Sequence, residues 1–152
     1  MKKIFLLLLF SLTINANPHK TISSILPLEL ENQFDKVIKV DKNIDYMMVV
    51  FDKKSYQSME VFLDKQPKKF LKKIKVAYLN NTTNIPPFLF KLFVKPNMKR
   101  KKYDILLIKD KKLTEKFNFK QNRVSFYRLK GEKIEKIEFL TVKELEKRLL
   151  SL

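Results

Sequence analysis

The stretch Tyr46-Met47-Met48-Val49-Val50-Phe51, followed by Asp52-Lys53-Lys54-Ser55-Tyr56-Gln57-Ser58, decides the fold. Its first part is apolar without alternation, the pattern of a strand buried on both faces and therefore covered above and below. Its second part breaks the run. A helical pattern beginning at Ser55 or Ser58 then places Met59, Phe62 and Leu63 on one stripe. The carboxyl end of such a strand is where open α/β sheets hold their ligands and chemistry. Here that junction contains no cysteine, histidine or glycine.

Two more unbroken runs, Lys75-Val76-Ala77-Tyr78-Leu79 and Ile105-Leu106-Leu107-Ile108, predict neighbouring strands. Pro67 interrupts the first helix, and residues 80–84 read as a loop. Pro86-Pro87 starts a second helix with Phe88, Leu89, Leu92 and Phe93 as its apolar face, and Pro96 is expected to stop it. Upstream, residues 25–30 and 37–40 form a hairpin around a turn at 31–36, with Pro27 suiting a sheet edge. Downstream, residues 113–117 form a short helix or turn. The tail is a hairpin, 124–129 and 133–139, around the single glycine, Gly131. Thr141 with Glu144 three residues on is a capping box for a last helix that buries Val142, Leu145 and Leu149.

At 152 residues and 45% hydrophobic content the chain is one globular domain. Its net charge of +17 is nearly all lysine, since arginine occurs only at 100, 123, 128 and 148. Lysine is a hydrated point charge, whereas arginine reads phosphates and base edges in bidentate fashion. The first residues have the make-up of a secretory signal peptide. Lys2-Lys3 precede an apolar segment from Ile4 to Phe10, and Ile14-Asn15-Ala16 ends on a small residue. The alternative is an uncleaved anchor, for which the segment is short. Residues 1–16 are thus expected to be removed, 17–24 to be a lead-in, and 25–152 to fold. Removing Lys2 and Lys3 takes 33 basic residues to 31 against 16 acidic, a net +15. Export to a periplasmic or secreted location, with no transmembrane segment after cleavage, points away from nucleic acid. It points toward an unknown protein partner or an anionic envelope component such as lipid head groups or lipopolysaccharide. The absence of cysteine rules out disulfides, thiol redox chemistry and thiolate-held metals.

The order strand, helix, strand, helix, strand, hairpin, helix is that of a thioredoxin-like α/β domain, with helices on both faces of the sheet and an added N-terminal hairpin. The tail Arg123-Val124-Ser125-Phe126-Tyr127-Arg128-Leu129-Lys130-Gly131-Glu132 is similar to that family's hairpin entry. The N-terminal hairpin resembles the peroxiredoxin and periplasmic thiol-reductase branches. Residues 80–85, Lys101-Lys102-Tyr103 and the hairpin-plus-helix ending resemble the YtfJ family of exported bacterial proteins. The resemblance implies a C-x-x-C in the first turn of the first helix, where the helix N-terminus stabilises a thiolate. This chain has Ser55-Tyr56-Gln57-Ser58 there, or Tyr56-Gln57-Ser58-Met59 one residue on. The cis-proline that faces the motif is replaced by Arg123, or by Asn122 in the neighbouring register.

These readings give an exported, redox-inactive binding or accessory module, not an enzyme, that contacts its partner beside Lys54, Ser55, Tyr56, Ser58, Asn122 and Arg123. The alternative is an electrostatic binder of anionic envelope material. Its cations are Lys99, Arg100, Lys101 and Lys102, joined by Lys68, Lys69, Lys72, Lys73 and Lys75 and by Lys109, Lys111 and Lys112. A serine nucleophile at Ser55 or Ser58 would need a base, and the sole histidine, His19, lies in the lead-in; helix capping explains those serines better. His19 would be third in the mature chain, the spacing of a copper or nickel clasp, but Pro18 has no amide proton to lose. Asp41, Asp45, Asp52 and Asp110 read as strand-end solvation. No catalytic residue, metal or cofactor is expected.

Overall fold

The structure, a computed structural model, describes residues 26–152. Residues 1–16, read above as a signal peptide, the lead-in with His19, and Ile25 lie outside them. A small antiparallel hairpin, β1 (Leu28–Glu31) and β2 (Val37–Val40), precedes the main sheet. That sheet has five strands in the order β5-β4-β3-β6-β7. They are β3 (Tyr46–Val50), β4 (Val76–Asn81), β5 (Leu106–Ile108), β6 (Val124–Lys130) and β7 (Lys133–Leu140). Strands β3, β4 and β5 are parallel, whereas β6 and β7 run antiparallel. Met47 pairs with Ala77 and Asn80 with Leu107, so the three apolar runs do lie side by side, with the third, in β5, at the sheet edge.

The unalternating runs are buried on both faces for the expected reason. On one face Met48, Val50, Tyr78, Leu107 and Phe126 meet α1 (Lys53–Asp64), α2 (Phe70–Lys73), α4 (Lys95–Lys99) and α6 (Val142–Leu150). On the other, Met47, Val49, Ala77, Leu79 and Ile108 meet the β1–β2 hairpin, Phe117 and the half-buried Leu113 of α5 (Lys111–Thr114). This is the thioredoxin-like α/β arrangement.

Four local expectations change. The first helix starts at Lys53, with Asp52 as its N-cap, so residues 52–54 initiate the helix instead of separating it from the strand. Asn80 and Asn81 belong to β4, not to a loop. Asn81 Oδ1 accepts from the Thr83 amide and from the hydroxyls of Thr83 and Thr114, which is why an asparagine suits this buried strand end. Pro96 does not stop its helix. After α3 (Pro87–Leu89) the chain takes a wider π-type turn, Phe90–Val94, which places Pro96 in the first turn of α4, where a missing N–H is tolerated. The expected apolar face is the wrong one: Phe88 is 63% and Phe93 65% exposed, and Leu89 and Leu92 are also exposed. The residues that pack on the core are Phe90, Val94 and Met98, spaced four apart along the opposite side.

Among the turns, Gly131 has φ +63°, the left-handed conformation that glycine adopts without strain. The capping box is formed as read. Thr141 Oγ1 accepts from the Glu144 amide at 3.2 Å, and Glu144 Oε2 accepts from the Thr141 amide at 2.7 Å. Thr141→Ala is expected to cost about 1 kcal/mol of stability, measured by urea unfolding. Hydrogen bonds from the Thr141 backbone and hydroxyl, with Arg123 nearby, hold the Glu144 carboxyl below its usual range. The stability it supplies is therefore present above the unfolded carboxyl value and is lost as pH falls through the lowered folded value. In Thr141→Ala the Glu144 titration, followed by NMR, should move up toward the ordinary range.

Candidate functional site

Strand β3 ends at Val50 and its antiparallel neighbour β6 begins at Val124, with Val49 opposite Ser125. The topology therefore brings Asp52 to Ser58 and Asn122-Arg123 to one end of adjacent strands, the end where the sequence placed the site. The first helical turn there is built on oxygen. Asp52 Oδ1 accepts the Ser55 amide proton at 2.8 Å, and the Ser55 hydroxyl donates to Asp52 Oδ2 at 2.9 Å. An anionic side chain thus meets an amide that no helix carbonyl can reach, in the positive field of the helix N-terminus. Ser55 is buried, its hydroxyl committed to this cap. Lys54 and Asn122 are exposed, and Ser58 is half-buried. Asn122 takes a left-handed φ of +57°. Arg123 is half-buried and its guanidinium lies 3.2 Å from Glu144 Oε2.

Tyr56 turns along the helix. Its hydroxyl donates to Glu60 Oε1 at 2.8 Å. Burial, and then the Glu60 carboxylate, push its phenol well above the usual tyrosine range, so it stays a neutral donor. It opens a polar network that sequence reasoning missed. Lys101 Nζ lies 3.1 Å from Glu60 Oε1 and 2.8 Å from Asp64 Oδ2, and the Tyr103 hydroxyl lies 3.3 Å from Asp64. Burial acts to lower the Lys101 value, but its bonds to Asp64 and Glu60 outweigh this and raise it. The available signal was the four-residue spacing of Tyr56, Glu60 and Asp64 along one helical face. Beneath them Tyr78 is fully buried, and its hydroxyl has no hydrogen-bond partner among the described residues.

The cation clusters behave differently from one another. Lys101 is committed to its two acids, and Arg100 donates to Asn97 Oδ1 at 2.6 Å. Lys99 and Lys102 are exposed and make no ion pair among the described residues. Lys68, Lys69 and Lys72 of the first cluster and Arg100, Lys101 and Lys102 of the second line one cavity, whereas Lys73, Lys75 and Lys99 do not. Lys109, which pairs with Glu31, and the α5 lysines 111 and 112 do not line it. The four aspartates are structural. Asp52 and Asp110 cap helices, Asp41 accepts from Asn43, and Asp45 lies 3.4 Å from Lys75. Among the described residues no group of three His, Cys, Asp or Glu is placed to hold a metal.

The geometry is that of a thioredoxin-like fold, and comparison with solved structures agrees. The chain is similar to the pneumococcal exposed lipoprotein thioredoxin Etrx1 of Streptococcus pneumoniae, with a TM-score of 0.58 at 18% identity over 82% of this chain and 98% of that one. It is similar to StoA of Bacillus subtilis, with a TM-score of 0.53 at 16% identity over 79% and 93% of the two chains. The thioredoxin domain of a thiol-disulfide oxidoreductase from Bacteroides vulgatus gives a TM-score of 0.54 at 14% identity over 82% and 91%. No family model and no curated sequence matches the chain. At these identities the likeness is one of fold. With no cysteine in the sequence, dithiol–disulfide exchange is closed to this chain. Among the described residues no helix is long and apolar enough to cross a membrane.

Proposed function

We propose that this is an exported, redox-inactive thioredoxin-like binding or accessory module that acts outside the cytoplasm, in the periplasm or secreted. One observation carries the reading: Asp52 caps α1 and binds Ser55 in its first turn, so an anion and a hydroxyl, with no sulfur, hold the helix start beside the turn where the resemblance implies a dithiol. Support for the location comes from the signal-like first residues and from similarity to an exposed lipoprotein. The narrower kinship with the YtfJ family rests on the stretches quoted from the sequence. The contact surface is the sheet end carrying Lys54, Ser55, Tyr56, Ser58, Asn122 and Arg123. Within it the exposed Lys54 and Asn122, with Arg123 beside them, would meet the partner, while Ser55 holds the helix start and Tyr56 is tied to Glu60. Partners captured from periplasmic extract should fall several-fold for Lys54→Glu/Arg123→Glu, because reversing interface charges weakens association. Equal recovery, with the thermal midpoint unchanged, would remove this surface.

A second reading, an electrostatic binder of anionic envelope components through Lys99, Arg100, Lys101 and Lys102, is favoured by the meeting of two sequence-distant cation clusters at one cavity. Lysines near an anionic leaflet contribute about 1 kcal/mol each. Affinity for phosphatidylglycerol vesicles should therefore fall at least about tenfold as the screening length shortens from about 10 to about 3 Å between 0.1 and 1 M salt. Salt-independent binding would exclude it.

A further inference from the structure

We propose that the cavity between the β1–β2 hairpin, α2 and the 100–104 segment binds a single amphiphile carrying an anionic head group and an acyl body. The cavity exists because β5 is short. It pairs with β4 only from Leu79 onward, so Val76, Ala77 and Tyr78 have no strand beside them on that edge. The space left there is about 760 Å³, within the range of small-ligand sites. Its walls are of two kinds. Leu71, Val76, Ala77 and Leu106 give an apolar floor, and Phe34 and Ile38 of the hairpin side extend it outward. Lys39, Lys68, Lys69, Lys72, Arg100 and Lys102 surround this floor, all exposed and none of them in an ion pair among the described residues. The one acid among the described lining residues, Asp104, accepts from Asn32 at 2.9 Å.

Several cations converging on a concavity raise the local concentration of anions, and a low-dielectric floor strengthens the attraction. A bare anion would leave the floor uncovered, and a neutral hydrocarbon would leave the cations unmatched. An anionic amphiphile satisfies both. The ring of Tyr78, itself buried, completes the wall on the helix side.

This inference rests on the electrostatic reading and narrows it to monomers held in a defined site. The test is calorimetric titration of the full chain, below micelle concentrations, with dodecanoate, dodecyl phosphate, dodecyl maltoside and inorganic phosphate. The carboxylate and phosphate arms separate a fatty acid from a phospholipid-type head. We expect 1:1 binding of at least one anionic amphiphile, at least tenfold tighter than dodecyl maltoside or inorganic phosphate. Lys69→Glu/Lys102→Glu should weaken it at least tenfold, and Phe34→Ser several-fold, with thermal midpoints unchanged because all three sites are exposed. Equal binding of dodecyl maltoside, or indifference to the charge reversal, would overturn the proposal. So would salt-sensitive binding of anionic vesicles without monomer binding, which would leave the electrostatic reading standing. Binding of neither would end both.

Discussion

Gln33→Ala is expected to lose about 2–5 kcal/mol of stability and to unfold at a urea concentration roughly 1–2 M below that of the unaltered protein. Gln33 is fully buried. Its Nε2 donates to the Tyr103 carbonyl at 2.8 Å, and its Oε1 accepts the Ile105 amide proton at 2.9 Å. One side chain thus joins the N-terminal hairpin to the approach of β5, the strand whose late start opens the basic cavity. Alanine would leave a buried carbonyl and a buried N–H unpaired, each a penalty of about 1–3 kcal/mol, and an apolar gap as well. Gln33→Glu separates these effects. Its carboxylate can still accept from Ile105 but faces the Tyr103 carbonyl, whereas the protonated acid can donate to it. The folded state would favour the protonated form and raise the carboxyl value. The deficit of this variant should therefore be smallest in acid and grow as pH rises. A loss for Gln33→Ala no larger than that of an exposed substitution would show that this bridge does not hold the hairpin in place.

The contrast between Gln33 and the central strands explains what the sequence could reveal. Met47 to Val50, Ala77 to Leu79 and Leu106 to Ile108 were legible because burial on both faces leaves only one residue class at every position. The tail was legible because Gly131 and the Thr141–Glu144 pair have local chemistry that specifies a turn and a helix start without reference to the rest of the chain. Asn32 and Gln33 were legible only as part of the turn at 31–36. Their burial depends on partners at least 70 positions away, Asp104 and the backbone of Tyr103 and Ile105, which no local window contains. The Phe88–Phe93 segment failed for a different reason. Phe88, Leu89, Phe90, Leu92, Phe93 and Val94 are apolar nearly all round, so periodicity offered two faces, and the π-type turn set the phase that buries Phe90, Val94 and Met98. The helix start was legible only roughly. The resemblance put the decisive turn at Ser55–Ser58 or Tyr56–Met59, whereas the helix is capped at Asp52, three or four residues earlier, because aspartate is a strong N-cap.

That register offers the most direct test of the account. If Asp52 and Ser55 stand where a dithiol would stand, Asp52→Cys/Ser55→Cys should convert this fold into a working thiol–disulfide couple. The sulfur introduced at position 52 would sit where the Asp52 carboxylate now accepts the Ser55 amide proton, and a thiolate there gains the same stabilisation from the helix N-terminus. Mixed with oxidised glutathione, the two thiols should close to an intramolecular disulfide as glutathione is reduced to two thiols. The thiol at position 52 should titrate at least about one unit below the ordinary value of about 8.5, leaving about ten times more thiolate near neutral pH. The matched variant Ser55→Cys/Ser58→Cys keeps Asp52, whose carboxylate occupies the free Ser55 amide and lies against the side chain at position 55, and should show no such lowering. Measuring thiol titration and glutathione exchange on both variants decides the matter. A lowered thiol value and ready closure in the 52/55 variant alone is the result this account predicts. Lowering in the 55/58 variant instead, or a folded 52/55 variant whose thiols titrate normally and stay open, would contradict it.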